Sequence, residues 1–135
     1  MKAFSDLEQS KKLAEILPLE SADMYYPWYI EEDGDTIENG HRITTPNVGN
    51  FTTHKVNKMI LPCWSLAALI NIIPQELFDG EYIINITEGI DNKWIITYDH
   101  YENRNHSFYG LSAGADNLVD ACYEMIIKLH EQNLL

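Results

Sequence analysis

Positive charge is scarce in this chain. Nine lysines and arginines stand against 21 aspartates and glutamates in 135 residues, a formal charge of −12. A field of that sign repels phosphate backbones, which argues against direct binding of DNA or RNA. It also disfavours anionic membrane surfaces, while leaving a basic protein partner compatible. Cysteine is equally scarce. Cys63 and Cys122 both fall inside expected helices and read as buried thiols, not as a disulfide or a nucleophile. Long apolar runs are missing too. The longest, around Leu66–Ile73, is interrupted by Asn71 and is far short of the ~20 residues that span a bilayer. The N-terminus reads as a helix start and not as a basic-apolar-small leader, so no signal peptide is expected. Together these absences suggest a cytoplasmic protein.

What is present suits a globular α+β domain. Apolar residues make up 45% of the chain, and the length fits a single domain over residues 1–135 with one core. Ser5 and Glu8 have the S-x-x-E spacing of a capping box. Leu7, Leu13, Ala14, Ile16 and Leu17 then give a partial apolar face, and Pro18 stops the helix, which is placed at 6–17. Residues 24–30 are aromatic and β-prone, and Pro27 makes them an edge strand or irregular extended segment. Asn39-Gly40 is a tight-turn dipeptide with Ile43–Thr45 as a return strand. Pro46–Asn50 reads as loop and residues 51–60 lean towards extended structure. Pro62 suits a first helical position and Pro74 follows the last one. Between them Cys63–Ile73 is apolar nearly all round, as in a helix buried on more than one side. A further helical turn is expected over Pro74–Phe78, before Asp79-Gly80.

The clearest pattern is a three-stranded antiparallel meander over 82–111: Tyr82–Thr87, Lys93–Tyr101 and His106–Leu111, joined at Gly89–Asn92 and Glu102–Asn105. A one-residue slip exchanges the two faces of a strand, so burial selects the register. An odd first loop sets Ile86 against Trp94, Ile84 against Ile96 and Tyr82 against Tyr98. With Glu102–Asn105 as the second loop, Tyr98 meets Tyr109 and Ile96 meets Leu111. Tyr82, Ile84, Ile86, Trp94, Ile96, Tyr98, Tyr109 and Leu111 then share the core face. Ile83, Asn85, Thr87, Ile95, Thr97, Asp99 and Phe108 share the other. A last helix over 117–132 is capped by Asp116. Its stripe of Leu118, Val119, Cys122, Met125, Ile126 and Leu129 is the natural cover for the meander.

The residues able to carry chemistry make no recognised motif. Glu31, Glu32, Asp33, Asp35 and Glu38 form the densest acidic cluster and are the candidate binding residues. The cluster departs from the EF-hand calcium pattern because Gly34 arrives too early, and it reads as a solvated turn or an acidic docking patch. None of the five histidines has H-x-x-H or H-E-x-x-H spacing. The expected register sends His100 and His106 to opposite faces. It also sets Ser107 opposite His100 while Asp99 points away, so no triad is expected, and no G-x-S-x-G elbow surrounds Ser107. Gly110, Gly114 and Asp116 make no phosphate loop. Fifteen aromatics invite comparison with base-stacking platforms, but only Lys93 and Arg104 are basic across the meander. No metal or cofactor is expected.

Two stretches carry a resemblance. Leu61-Pro62-Cys63-Trp64-Ser65-Leu66-Ala67-Ala68-Leu69 precedes the meander. Ser112 and then Asp116-Asn117-Leu118-Val119-Asp120-Ala121-Cys122-Tyr123-Glu124-Met125 follow it. This layout resembles small uncharacterised proteins from phages and mobile elements of gut Bacteroidetes. More loosely, it is similar to the phage ABA-sandwich domain, in which a strand meander lies between helices. The resemblance covers roughly residues 60–135 and implies an element origin and a bacterial cytoplasm, with no catalytic residues to transfer.

The expected architecture is therefore an antiparallel sheet of three to five strands packed with N-terminal, central (62–73) and C-terminal helices. The expected function is a non-enzymatic accessory or protein-interaction module, with a partner that is basic in character. One alternative is an acidic nucleic-acid mimic that occupies a basic host protein. Another is a small ligand-binding domain or enzyme with a pocket beside Trp64, Tyr98 and His100. Oligomerisation through Ile83, Ile95 and Phe108 is a further expectation, since exposed apolar patches often mark interfaces.

Overall fold

The computed structural model describes residues 2–26, 37–38, 41–42, 45–49 and 61–135. Their elements make an α+β fold with helices near the N-terminus, at the centre and at the C-terminus, and antiparallel sheets of three and four strands. Contacts divide the chain into two units, residues 4–68 and residues 69–135, the second joined by Lys2 and Ala3.

In the first unit, α1 (Leu7–Ile16) is capped by Asp6, whose side chain accepts from Gln9 N while the Gln9 side chain accepts from Asp6 N. The capping box thus lies one residue beyond the expected Ser5–Glu8 pair. Ser5 is unavailable because its hydroxyl is buried between Ser10 Oγ at 2.7 Å and the Trp64 amide at 3.1 Å. Leu7 and Leu13 are buried along the inner stripe and Leu17 follows the helix into the interior.

Strand β1 (Met24–Tyr26) is the central strand of its sheet, between β4 (Asn47–Val48) and β5 (Leu61–Cys63). This corrects the expected edge strand; Pro27 itself lies outside the described residues. The proline rule holds for Pro62, which sits in an edge strand opposite Tyr25. Short strands β2 (Ile37–Glu38) and β3 (His41–Arg42) pair antiparallel on either side of Asn39-Gly40 in the sequence, as the turn dipeptide suggests. The return strand begins at His41 and not at Ile43. Asn47 and Val48 are paired where a loop was expected, and residues 51–60 fall outside the described set. Leu7, Tyr26, Leu61 and Cys63 form one core cluster, with Phe4 and Met24 against it.

The central helix α2 (Leu66–Ile72) starts later than the expected 62–73. Leu61–Cys63 is engaged in the β1 ladder, and the Ser65 hydroxyl accepts from Ala68 N at 3.2 Å in the manner of an N-cap. Leu69 and Ala68 are buried, but Ala67, Ile70 and Asn71 face outwards, so the helix is one-sided and not buried all round. In place of a further helical turn, Glu76–Leu77 forms β6.

The second unit is a four-stranded antiparallel meander in the order β6, β7 (Tyr82–Glu88), β8 (Trp94–His100) and β9 (Ser107–Ala115). The first meander loop is odd, residues 89–93, and the faces of β7 and β8 are those expected. The pairing is displaced by two residues, with Ile86 opposite Ile96, Ile84 opposite Tyr98 and Tyr82 opposite His100. The β8–β9 pairing departs further. Ser107 stands opposite Asp99, yet Ser112 stands opposite Thr97, so two steps along β8 face five along β9. The bulge contains Gly110 at φ +84°, a conformation that favours glycine.

Ile96, Tyr98, Leu111 and Ala113 are buried on the core face, where helix α3 (Leu118–Glu131) packs on β8 and β9. Val119, Cys122, Met125, Ile126 and Leu129 supply the buried stripe of α3, while Leu118 is only half-buried. Its N-cap is Asn117, which accepts from Asp120 N at 2.9 Å, and not Asp116. Near its C-terminal end, Lys128 donates to the Ser112 carbonyl, and Gln132 just beyond the helix donates to the Gly110 carbonyl at 3.1 Å.

Gly110→Ala is expected to destabilise the protein by about 1–2 kcal/mol, the cost of a left-handed non-glycine residue. The added Cβ would also stand 3.3 Å from Gln132 Nε2. Gly114→Ala, whose Cβ would meet only ordinary contacts at 3.7 Å and beyond, is expected to change stability by less than about 0.5 kcal/mol. Urea unfolding of the two variants distinguishes these outcomes.

Candidate functional site

The displaced β8–β9 register decides what the meander presents. Because Ser107 pairs with Asp99, Phe108 falls on the same face as Tyr82, where the expectation had it on the opposite one. Tyr109, expected in the core, is 97% exposed. Phe108 packs edge-on against Tyr82 with centroids 5.1 Å apart and lies 5.3 Å from Phe78. Tyr82 meets His100 edge-on at 5.5 Å, and His100 stacks on Tyr101 at 5.2 Å. These five rings form one continuous array at the end of the sheet where the β6–β7 and β8–β9 turns meet. Phe78 and Tyr101 are 47% and 51% exposed, so both ends of the array face solvent.

Carboxylates flank the array. The Glu81 carboxylate lies 3.9 Å from His100 Nε2. Tyr101 donates its hydroxyl to Glu102 at 2.8 Å, and its amide bonds the Glu81 carbonyl. That hydrogen bond to Glu102, with the nearby negative charges, raises the Tyr101 pKa. His100 Nδ1 accepts from the amides of Glu102 and Asn103 at 3.2 and 3.3 Å, which fixes the ring over the turn. The β6–β7 turn is unusual in that Phe78 and Asp79 both adopt φ +55°. A bulky aromatic in the left-handed region is a genuine outlier, of the kind that gathers at binding sites.

The second face carries a polar cluster. Asp99, 4% exposed, accepts from Ser107 Oγ at 2.7 Å and Thr97 Oγ1 at 2.9 Å through one oxygen. It accepts from Asn85 Nδ2 at 2.9 Å through the other. Burial alone would raise its pKa, but the three hydrogen bonds and the charge of Arg104 outweigh that and hold it below the usual value. Ser107 and Asp99 therefore touch, which corrects the expectation that they point apart. His100, next along the strand, faces the other side with Tyr82, so serine, histidine and aspartate still do not assemble as a triad.

Glu31, Glu32, Asp33 and Asp35 lie outside the described residues, and Glu38 is described only as a strand position opposite His41. Tyr98 is fully buried and donates to the Pro74 carbonyl at 2.5 Å. In the other unit, Trp64 is fully buried and its indole donates to Ser21 Oγ at 2.9 Å. Of the expected oligomer face, Ile83 is half-buried, Ile95 is partly exposed and Phe108 belongs to the aromatic array. No group of three or more histidine, cysteine, aspartate or glutamate residues suited to a metal occurs among the described residues. Nor is any helix among them long and apolar enough to cross a membrane.

Sequence reasoning missed Phe78, Glu81, Tyr101 and Glu102: it set Phe78 in a helical turn, Tyr101 at the end of a strand and Glu102 in a loop, and gave Glu81 no role. The available signal was Phe78-Asp79-Gly80, a turn carrying an aromatic where turns are usually polar. No family model, curated protein or solved structure matches the chain.

Two outcomes follow from this geometry. Asp99→Asn places an amide donor among three donors and is expected to cost about 1–3 kcal/mol at pH 7. Because the folded-state pKa is depressed, this stabilisation is complete above the unfolded carboxylate pKa of about 4 and is lost as pH falls through the lower folded value. The stability gap between wild type and variant should therefore narrow below about pH 4 in pH-dependent urea unfolding. Separately, Cys63 and Cys122 are fully buried free thiols. Burial pushes the Cys63 thiol up despite hydrogen bonds from its neighbours, and pushes Cys122 up to about 12. Both should resist a disulfide-exchange reagent in native buffer and react fully in denaturant.

Proposed function

We propose that the chain is a non-enzymatic accessory module that binds another protein, encoded by a phage or mobile element as the resemblance over residues 60–135 implies. The observation that carries the binding reading is the exposed aromatic array with its acidic margin. A free array of this kind leaves apolar ring surface in water, and tyrosine-rich patches are the usual anchors of protein interfaces. The formal charge of −12 favours a partner of opposite sign and speeds encounter with it.

The buried nucleophiles favour the same reading over catalysis. Cys63 and Cys122 are held as thiols, and the Asp99–Ser107 pair is tied into a hydrogen-bonded cluster without a histidine. In the host, a tagged copy should retain a specific protein that untagged chain displaces, with retention falling between low and moderate salt. Failure to recover any partner at either salt, or turnover of a substrate by the purified chain, would overturn this function.

A further inference from the structure

We propose that the aromatic array formed by Phe78, Tyr82, Phe108, His100 and Tyr101 is a docking site for an arginine side chain on a basic segment of a partner protein. This rests on the protein-binding reading and specifies its surface and ligand chemistry. Two properties of the array select a cation. Ring faces carry negative potential and attract a cation within about 6 Å of their centroids, and adjacent centroids here lie 5.1–6.2 Å apart. The Tyr101 ring, 51% exposed, is the ring at the acidic end that solvent and a cation can reach. The Glu81 and Glu102 carboxylates lie beside the His100–Tyr101 end, which adds charge complementarity at the same place.

Arginine fits better than lysine for a geometric reason. The half-exposed Tyr101 ring stacks on His100 with an interplanar angle of 27°, so the pair offers a flat surface. A guanidinium can lie flat on such a surface while its edge donates to a carboxylate. An ammonium can do only one of these well, and it gives up more hydration. Arg104 belongs to the same β8–β9 turn as Tyr101 and Glu102, and its charge lowers the pKa of Asp99 on the opposite face of the sheet.

The test is a two-dimensional amide NMR titration of the full chain with an acetylated Gly-Arg-Gly-Arg-Gly peptide, its lysine counterpart and tetramethylammonium chloride. The arginine peptide should shift the amides of Tyr82, His100, Tyr101, Glu102 and Phe108, and the lysine peptide should bind about threefold or more weakly. Tyr101→Ala and, separately, Glu81→Gln should each weaken the arginine peptide about fivefold. Glu124→Gln, an exposed acid on α3, should leave binding unchanged. Glu81→Gln preserves side-chain size and so keeps the test decisive if the tyrosine variant folds poorly.

The proposal is overturned if shifts spread evenly over the acidic surface, or if both array variants bind as wild type. It is also overturned if tetramethylammonium alone occupies the array, which would mark a small-cation site, or if no probe binds. A silent array alongside a retained host partner would remove this assignment and leave the interaction function standing. Loss of the partner as well would remove both.

Discussion

Two steps along β8 oppose five along β9 between the Asp99–Ser107 and Thr97–Ser112 pairs, and most of the second unit depends on that bulge. On the hairpin side it brings Ser107 onto the Asp99 carboxylate and Phe108 onto Tyr82. On the far side it returns Leu111 and Ala113 to the core face beneath α3. Tyr109 and Gly110 absorb the extra length, and the left-handed backbone at Gly110 makes the detour sterically possible. The carbonyls of Gly110 and Ser112 accept from Gln132 and Lys128, so the helix that covers the sheet also holds its irregular edge strand. That capping blunts an edge that would otherwise offer free backbone groups for pairing.

The first unit is organised around a smaller point, the Ser5 residue. Its hydroxyl and backbone join Ser10 of α1, the Tyr26 hydroxyl of β1 at 2.7 Å, the Cys63 thiol of β5 and the Trp64 backbone. A buried serine of this kind is tolerated only because each polar atom has a partner. Among the described residues no buried side-chain nitrogen or oxygen is left without one. Asp23 adds a second tie through both the amide and the hydroxyl of Ser65, and thereby sets where α2 begins.

The two faces of the meander divide the work. The Asp99 cluster turns the Asn85, Thr97 and Ser107 side chains onto one buried carboxylate and carries no ring surface, so it holds the hairpin. The aromatic array is the reverse, with its two end rings about half in water, carboxylates beside it and a strained turn at Phe78. A carboxylate can rigidify a turn when its neighbours bond to it, and can recruit a cation when they leave it exposed.

The sequence by itself determined the α+β class, the meander, the parity of its first loop and the stripe of α3. Each follows from hydrophobic periodicity, which is a local property. Caps came out one residue early at both Ser5 and Asp116. Several residue types compete for a cap, and the winner depends on which hydroxyl or amide the core has already engaged. Pro62 and Cys63 went from helix to strand because their partner is β1, far away in sequence. Only the tertiary structure decided the β8–β9 bulge, and with it the whole candidate site. Period-two alternation places Phe108 opposite to Tyr82 by default, and nothing local to residues 107–111 announces how many of them lie against two residues of β8. The glycine that permits the bulge was visible; the pairing that requires it was settled by packing across the sheet.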